Sequence, residues 1–287
     1  MLSAVPRRIF HTFFRKPPAQ RVTAKVPPYI RDQLDSNTDN EQPLPHDFRT
    51  VYPEFLPDPR PEWRNRLRER LERNDMLTRR SVVAIPEFYI GSIMAVTVGD
   101  RNASDKTNRF VGICISRGGT GLRAWFNLRN VIDHQGLEIM YEMYSPLIRN
   151  IEVLRLEKRL DEELLYLRDA LPEYSTFPLD MEPELLPEGA PVPINDIKVK
   201  LKPRPWHERW ERKNLQGVQD LGLPQRFYNK AKLHEKPWEK YDLMMEYRAT
   251  IPEEEQADIF HEIAPHYQQL ESSRRQSKRR LAQTSRY

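Results

Sequence analysis

Residues 110–129 read F-V-G-I-C-I-S-R-G-G-T-G-L-R-A-W-F-N-L-R, and the apolar spacing changes halfway along. The first seven residues are almost all apolar and predict a strand buried on both faces. The last eight alternate. Leu122, Ala124, Phe126 and Leu128 fall on one side and Arg123, Trp125, Asn127 and Arg129 on the other, because successive side chains of a strand point to opposite faces. The G-G-T-G between them reads as a hairpin turn. Downstream, L-E-I-M-Y-E-M-Y (residues 137–144) alternates again, and I-R-N-I-E-V-L and L-L-Y-L-R supply two further short strands. Upstream, residues 82–99 are rich in β-branched residues but carry Pro86, Glu87 and Gly91. That stretch is strand-forming sequence rather than the ~20 uncharged apolar residues of a membrane span. Five or six short strands with tight turns predict a mainly β core, a small closed barrel.

The rest of the chain is of another kind. Of 287 residues, 38% are hydrophobic and 31% charged. Adding the ten glycines leaves the apolar share below the ~45–50% of an average globular domain, so much of the length lies outside a packed core. Twenty-five prolines against ten glycines make the connectors stiff. Residues 1–31 hold seven Lys/Arg and no acid, with Ile9, Phe10, Phe13 and Phe14 on one helical face. That is the pattern of a mitochondrial transit peptide, or of a plain basic tail. Residues 32–60 read as an extended arm, 61–170 as a helix plus the barrel, and 171–205 as a Pro-rich acidic linker. Residues 206–287 read as a helical C-terminal extension with a basic tail, which Pro265 is expected to kink or divide.

Two basic groups point to RNA. The predicted helix P-E-W-R-N-R-L-R-E-R-L-E-R-N has a thin apolar stripe, Trp63, Leu67 and Leu71, expected to dock lightly on the core. Around it stand Arg64, Arg66, Arg68, Arg70 and Arg73, more arginines than Glu62, Glu69 and Glu72 can pair. The second group is Arg101, Lys106, Arg109, Arg117, Arg123 and Arg129, with Trp125 among them and Asp105 the sole acid of that stretch. Arginine forks suit phosphate oxygens, and an indole suits an unstacked base. The tail cations Arg274, Arg275, Lys278, Arg279 and Arg280 are expected to contact RNA or protein.

Nothing comparable points to catalysis. His261 and His266 are five apart, whereas a zinc-binding H-E-x-x-H places its histidines four apart. The Gly-rich turn joins two strands and lacks the Gly-Lys-Ser/Thr of a phosphate-binding loop. The single cysteine, Cys114, excludes a disulfide scaffold and a cysteine zinc site. Set mid-strand among isoleucines, it reads as a buried inert thiol. No catalytic residue, metal, cofactor or small-molecule substrate is expected.

The ordered set of residues is similar to a known family. I-P-E-F at residues 85–88, Gly91, and then Phe110, Gly112, Arg117, Gly119, Gly121, Phe126 and Arg129 resemble the bacterial-type large-subunit ribosomal protein nineteen family. Glu138, Ser145-Pro146, Ile148, Ile151-Glu152-Val153 and Tyr166-Leu167-Arg168-Asp169 continue the resemblance, which covers roughly residues 63–169. Gly118, Asn130 and K-R-L-D-E-E at residues 158–163 depart from it where the family has basic residues. The resemblance implies an SH3-like barrel bound to large-subunit ribosomal RNA near the subunit interface, supporting contact with the small subunit, with no catalysis. Joined to the transit-like start, it implies the mitochondrial member of the family, in the ribosome of the mitochondrial matrix. The long flanks have no counterpart in the bacterial pattern, which suits contacts with neighbouring mitochondrial ribosomal proteins or RNA. Trp206, Trp210, Phe227, Tyr228 and Trp238 there would serve as docking anchors or as a local core. The alternative is a free mitochondrial RNA-binding or ribosome-assembly factor using the same barrel.

Overall fold

The computed structural model describes residues 52–184, 186 and 191–284. The transit-peptide reading of residues 1–31 and most of the arm therefore lie outside the described residues. The centre is a five-stranded antiparallel sheet: β1 (Ile93–Gly99), β2 (Thr107–Gly118), β3 (Trp125–Ile132), β4 (Gln135–Glu142) and β5 (Ile148–Arg155). Hydrogen bonding runs β4-β3-β2-β1-β5. Among the described residues no ladder joins β4 to β5, so the sheet is not closed by hydrogen bonds.

The burial of β2 and β3 follows their composition. Val111 to Ser116 of β2 are all buried, while Ala124, Phe126 and Leu128 are buried and Arg123, Trp125, Asn127 and Arg129 lie outward of them. One face packs on α1 (Arg66–Val82) through Met76 and Leu77 and on Phe88 and Ile85. The other face carries Ile93, Ala95, Val111 and Leu154 beneath Phe177 and Met181. The Pro-rich segment thus lies against the sheet. Asn130 fixes it there: buried in β3, its Nδ2 donates to the Val111 carbonyl at 2.7 Å and the Phe177 carbonyl at 3.0 Å, while its Oδ1 accepts from Phe177 N at 3.0 Å. A lysine would supply only donors at this point.

Several local expectations are corrected. Leu164–Arg168 is not a strand; Leu165–Arg168 forms a 3-10 turn. An irregularity in β2 between Cys114 and Ser116 leaves Ile115 out of the β3 ladder, and its carbonyl instead accepts from Leu164 N at 2.9 Å. The first helix begins at Arg66, where Asn65 caps the Arg68 amide at 3.1 Å and Glu69 accepts from Asn65 N at 3.1 Å. Pro61–Trp63 is a separate 3-10 turn. Trp63, Leu67 and Leu71 do not dock: they are 60–70% exposed, and the core-facing positions of the helix are Met76, Leu77 and Arg80. In W-H-E-R-W-E-R-K only Trp210–Arg212 turns, as a 3-10 segment.

The C-terminal extension carries α2 (Gln225–His234), α3 (Leu243–Ala249) and α4 (Glu253–Thr284). Pro265 does not divide α4. Ile259, Phe260, Ile263 and Tyr267 of α4 join the main core, with Tyr267 5.5 Å from Tyr52 and 6.2 Å from Phe55, ring centre to ring centre. Tyr52 and Phe55, near the end of the expected arm, are therefore core residues, while Pro59 and Arg60 are exposed. Trp210 is buried against Tyr166, and its indole N–H donates to Asp169 Oδ2 at 2.7 Å. Of the other aromatic anchors, Trp206 packs partly on that cluster and Trp238 is 64% exposed.

Candidate RNA interface

The arginines singled out by charge fall into two classes, those held by carboxylates of the same chain and those facing solvent. Arg64 is held. Its Nε meets Glu69 Oε1 at 3.0 Å and its Nη2 meets Glu255 Oε1 on α4 at 2.5 Å. These hydrogen bonds, first to Glu255 and then to Glu69, raise the Arg64 pKa; they hold both carboxyls below the usual glutamate value. Arg73, half-buried, reaches Glu262 at 2.9 Å, so α4 is clamped to α1 by charge. Here a helix docks through ion pairs as well as an apolar face, and the N-terminal stripe of α1 is left uncovered.

Arg117 is also held. Its Nη2 donates to Glu54 Oε2 at 2.6 Å, its Nη1 to the Phe88 carbonyl at 3.0 Å, and its guanidinium lies 4.4 Å from the centre of the Phe88 ring. Glu54 also bonds Arg80, and both are almost fully buried. Arg129 donates to Glu138 Oε1 at 2.6 Å. Glu138 is shared with Arg168, at 2.7 Å. Burial works against ionisation of Glu138, but the two arginines together outweigh it and hold the carboxyl below its ordinary value. Arg109 bonds the Leu179 carbonyl and approaches Glu152 at 3.6 Å. Arg68 is paired with Glu72 at 2.7 Å yet remains half exposed.

Arg66, Arg101, Lys106 and Arg123 are exposed and make no side-chain hydrogen bond or close ion pair among the described residues, although the charge of Arg66 reaches Glu255. Arg70, 72% exposed, has only a 3.7 Å approach to Glu262. These five do not form one patch. Arg101 and Lys106 sit in the β1–β2 turn; Arg123 sits in the β2–β3 turn, at the far end of the twelve-residue β2, roughly 35 Å away at the usual strand rise. At that far end the turn meets α1: Arg123, Gly121, Arg68 and Arg73 line one cleft. Arg66 and Arg70 lie on the same helix. Trp125 lies across the hairpin, its ring 2.9 Å from where a Cβ on Gly118 would stand, and is half-buried.

Charge counting missed Arg149 and the pair Lys158 and Arg159. Arg149 is exposed beside Gly99, adding a cation to the β1–β2 end. Lys158, 4.1 Å from the Tyr89 ring centre, and Arg159 line a cleft of about 410 Å³ with Arg117 and Gly119. The signal in each case is a basic residue beside a glycine or aromatic distant in sequence, which only the pairing of strands reveals. The tail positions Arg274 to Arg280 fall on α4, and their side chains lie outside the described residues.

The described residues contain no group of three or more His, Cys, Asp and Glu that could hold a metal ion, and no helix long and apolar enough to cross a membrane. Burial pushes the Cys114 thiol up to about 12.

Comparison with known proteins matches residues 68–175 to the family model described as Ribosomal protein L19. The protein named Large ribosomal subunit protein bL19m from Drosophila melanogaster is 61% identical over 239 residues, covering 83% of this chain and 78% of that protein. Large ribosomal subunit protein bL19c from Spinacia oleracea is 33% identical over 93 residues, 32% of this chain and 40% of that protein.

Proposed function

The chain belongs to the ribosomal protein L19 family, as a structural protein of the mitochondrial large ribosomal subunit and not an enzyme, and from that premise we propose that it binds large-subunit ribosomal RNA through the two solvent-facing basic ends of its sheet. The observation that carries this reading is the sorting of the arginines. Where Arg64, Arg117 and Arg129 are neutralised by Glu69, Glu255, Glu54 and Glu138, Arg66, Arg101, Lys106 and Arg123 keep their donors turned to solvent. Phosphates are the acceptors such forks fit, and releasing their counterions drives association.

The sheet is an SH3-like barrel on this reading. In support, Met143 and Tyr144 after β4 and Ile148, Ile151 and Val153 of β5 enter one apolar cluster, so the two edges curl around a shared core. The roughly 35 Å between its basic ends lets one domain touch RNA at two separate places. With both basic ends on RNA, the flanks support contact with the small subunit. Residues 1–31 serve as the import signal, and the tail cations add contacts with RNA or neighbouring proteins.

The test is sedimentation of tagged chains from mitochondrial lysate after a high-salt wash. The wild-type chain should co-migrate with the large subunit and the whole ribosome. Reversal of Arg66, Arg70 and Arg123 to Glu together should reduce incorporation at least tenfold. Incorporation at wild-type level would remove the α1–turn end from the RNA interface. Recovery of the wild-type chain only in lighter precursor fractions, or at the top of the gradient, would favour a free assembly factor instead. Reversing Arg117 or Arg129 would not test the interface, since each holds a carboxylate of the fold.

A further inference from the structure

A cleft of about 490 Å³ opens in the C-terminal extension, between residues 204–212 and α2. That is within the ~300–1,000 Å³ range of ligand sites. It lies beyond residues 68–175, the part matched by the family model. Arg204 forms its centre. The guanidinium stands 4.1 Å from the ring centre of Phe227 and 5.1 Å from that of Trp206, and its Nη2 donates to Glu211 Oε1 at 3.0 Å. The Glu211 side chain is 4% exposed, and its Oε2 is buried without a hydrogen-bond partner. A buried carboxylate oxygen with no donor is costly, and such an atom beside a cleft marks where a ligand N–H or a bridging water O–H is brought in. Both rings remain partly exposed.

The rim is cationic. Arg209, Arg212 and Lys230 line the cleft, are exposed, and have no side-chain partner among the described residues. The two acids there are engaged, Glu208 by Lys213 at 2.7 Å and Glu211 by Arg204. An occupant must therefore be anionic, offer a flat face to aromatic rings, and present an N–H donor. A nucleotide has all three. An acidic peptide would use the rim and could donate a backbone N–H, but its acidic side chains offer no flat face to the two rings, which is what favours a nucleotide.

We propose that this cleft is a second RNA site, taking a nucleotide of a single-stranded ribosomal RNA segment. Its base packs on Trp206 and Phe227, and its phosphates meet Arg209, Arg212 and Lys230. The proposal rests on the RNA-binding reading above and adds a site to it. Stacking platforms joined to a basic groove are the general means of holding single strands. The site is pre-shaped from below: Trp210, next to Glu211, is fixed on Asp169 at 2.7 Å, so the segment cannot shift independently of the barrel.

The test uses the purified full-length chain and a ten-nucleotide oligouridylate carrying 4-thiouridine, with photo-crosslinked peptides mapped by mass spectrometry. Adducts are expected within residues 204–231 as well as on the barrel. In the triple variant Arg209→Glu, Arg212→Glu, Lys230→Glu, none of whose side chains holds the fold, the adducts at 204–231 should fall at least tenfold and those on the barrel persist. The slope of log affinity against log salt should drop by about two, three contacts at ~0.7 each. Phe227→Leu, which keeps the apolar volume, should lower the same adducts several-fold without changing the salt slope. Adducts confined to residues 61–170 would overturn the cleft while leaving RNA binding standing. No adduct anywhere would overturn both. In intact ribosomes, crosslinks from 204–231 to protein in place of RNA would assign the cleft to a protein neighbour and overturn the proposal.

Discussion

Glu54→Gln is the substitution whose cost the structure specifies most closely. Glu54 is 2% exposed and Arg80 3%, and Arg80 stands between the rings of Tyr52, Phe55, Tyr144 and Tyr267, 5.1–5.8 Å from their centres. The same carboxylate meets Arg117 at 2.6 Å, where the guanidinium is 11% exposed. One anion thus ties the 53–55 turn to α1 and to the end of β2. Removing one partner of a buried ion pair costs ~3–5 kcal/mol, because a charge is left without compensation. Gln retains one carbonyl acceptor, and Arg117 lies near enough to the surface to turn toward water. The lower end, ~3 kcal/mol, is therefore expected. For a folded region of this size that is a fall of roughly 6–12 °C in Tm. Urea unfolding of the full-length chain, followed by far-ultraviolet circular dichroism, reads it directly. Arg80→Met added to Glu54→Gln should cost less than the two single changes summed, since both remove the same buried ion pair. A loss below ~1 kcal/mol for Glu54→Gln, or full additivity with Arg80→Met, would refute the view that this carboxylate neutralises the buried cation.

Other consequences are as direct. Trp210→Phe removes the 2.7 Å indole donor to Asp169 Oδ2, which keeps only the His207 amide at 3.0 Å; the lost bond to a carboxylate, ~1–3 kcal/mol, should appear as faster limited proteolysis within residues 199–221. Cys114, buried and with its thiol pushed up to about 12, should resist iodoacetamide at pH 8 until urea unfolds the sheet; labelling of the native chain within minutes would contradict that burial. Glu69 and Glu255 have carboxyl pKa values below the usual one, so their contribution is present at neutral pH and lost as pH falls through the ordinary carboxylate range and below. The difference in urea midpoint between wild type and Arg64→Ala should accordingly shrink from about pH 6 to below about pH 4, and a constant difference would contradict the ionic clamp. Glu255→Gln with Glu262→Gln should loosen Arg64, Arg70 and Arg73 and steepen the salt dependence of RNA binding by about one to two; an unchanged slope would show those arginines out of reach of RNA.

The sheet was legible because its signal is local. Val111 to Ser116 and the alternation from Ala124 to Leu128 state their burial in residue order, and a G-G-T-G between them leaves little besides a hairpin. Gly119 and Gly121 take φ of +77° and +61°, which most side chains resist, so the turn too is written in its residues. What failed was long-range. Trp63, Leu67 and Leu71 have the spacing of a docking stripe, yet the side of α1 that docks was chosen by Glu255 and Glu262, some 190 residues away. L-L-Y-L-R has strand composition, but a single hydrogen bond to an irregular point of β2 replaces a ladder. Neither partner is visible from the segment itself.

The same argument governs the basic residues. Counting arginines against the acids within four positions overstates the cation available to RNA, because the acids that neutralise them come from other elements. Glu54 precedes the family-matched region, Glu138 is across a hairpin, and Glu255 and Glu262 follow it by about eighty residues. Two of these four lie on α4, so the C-terminal extension does more than lengthen the chain. By covering Arg64 and Arg73 it removes one side of α1 from competition for phosphate and leaves Arg66 and Arg70 with the β2–β3 turn. Carboxylates outside the matched region thus decide which arginines on this side of the sheet can meet RNA. The cleft at Arg204 is the complement of that effect. The extension closes one basic face with carboxylates and opens another at a site of its own, which the loss of crosslinks at residues 204–231 would register separately from binding at the barrel.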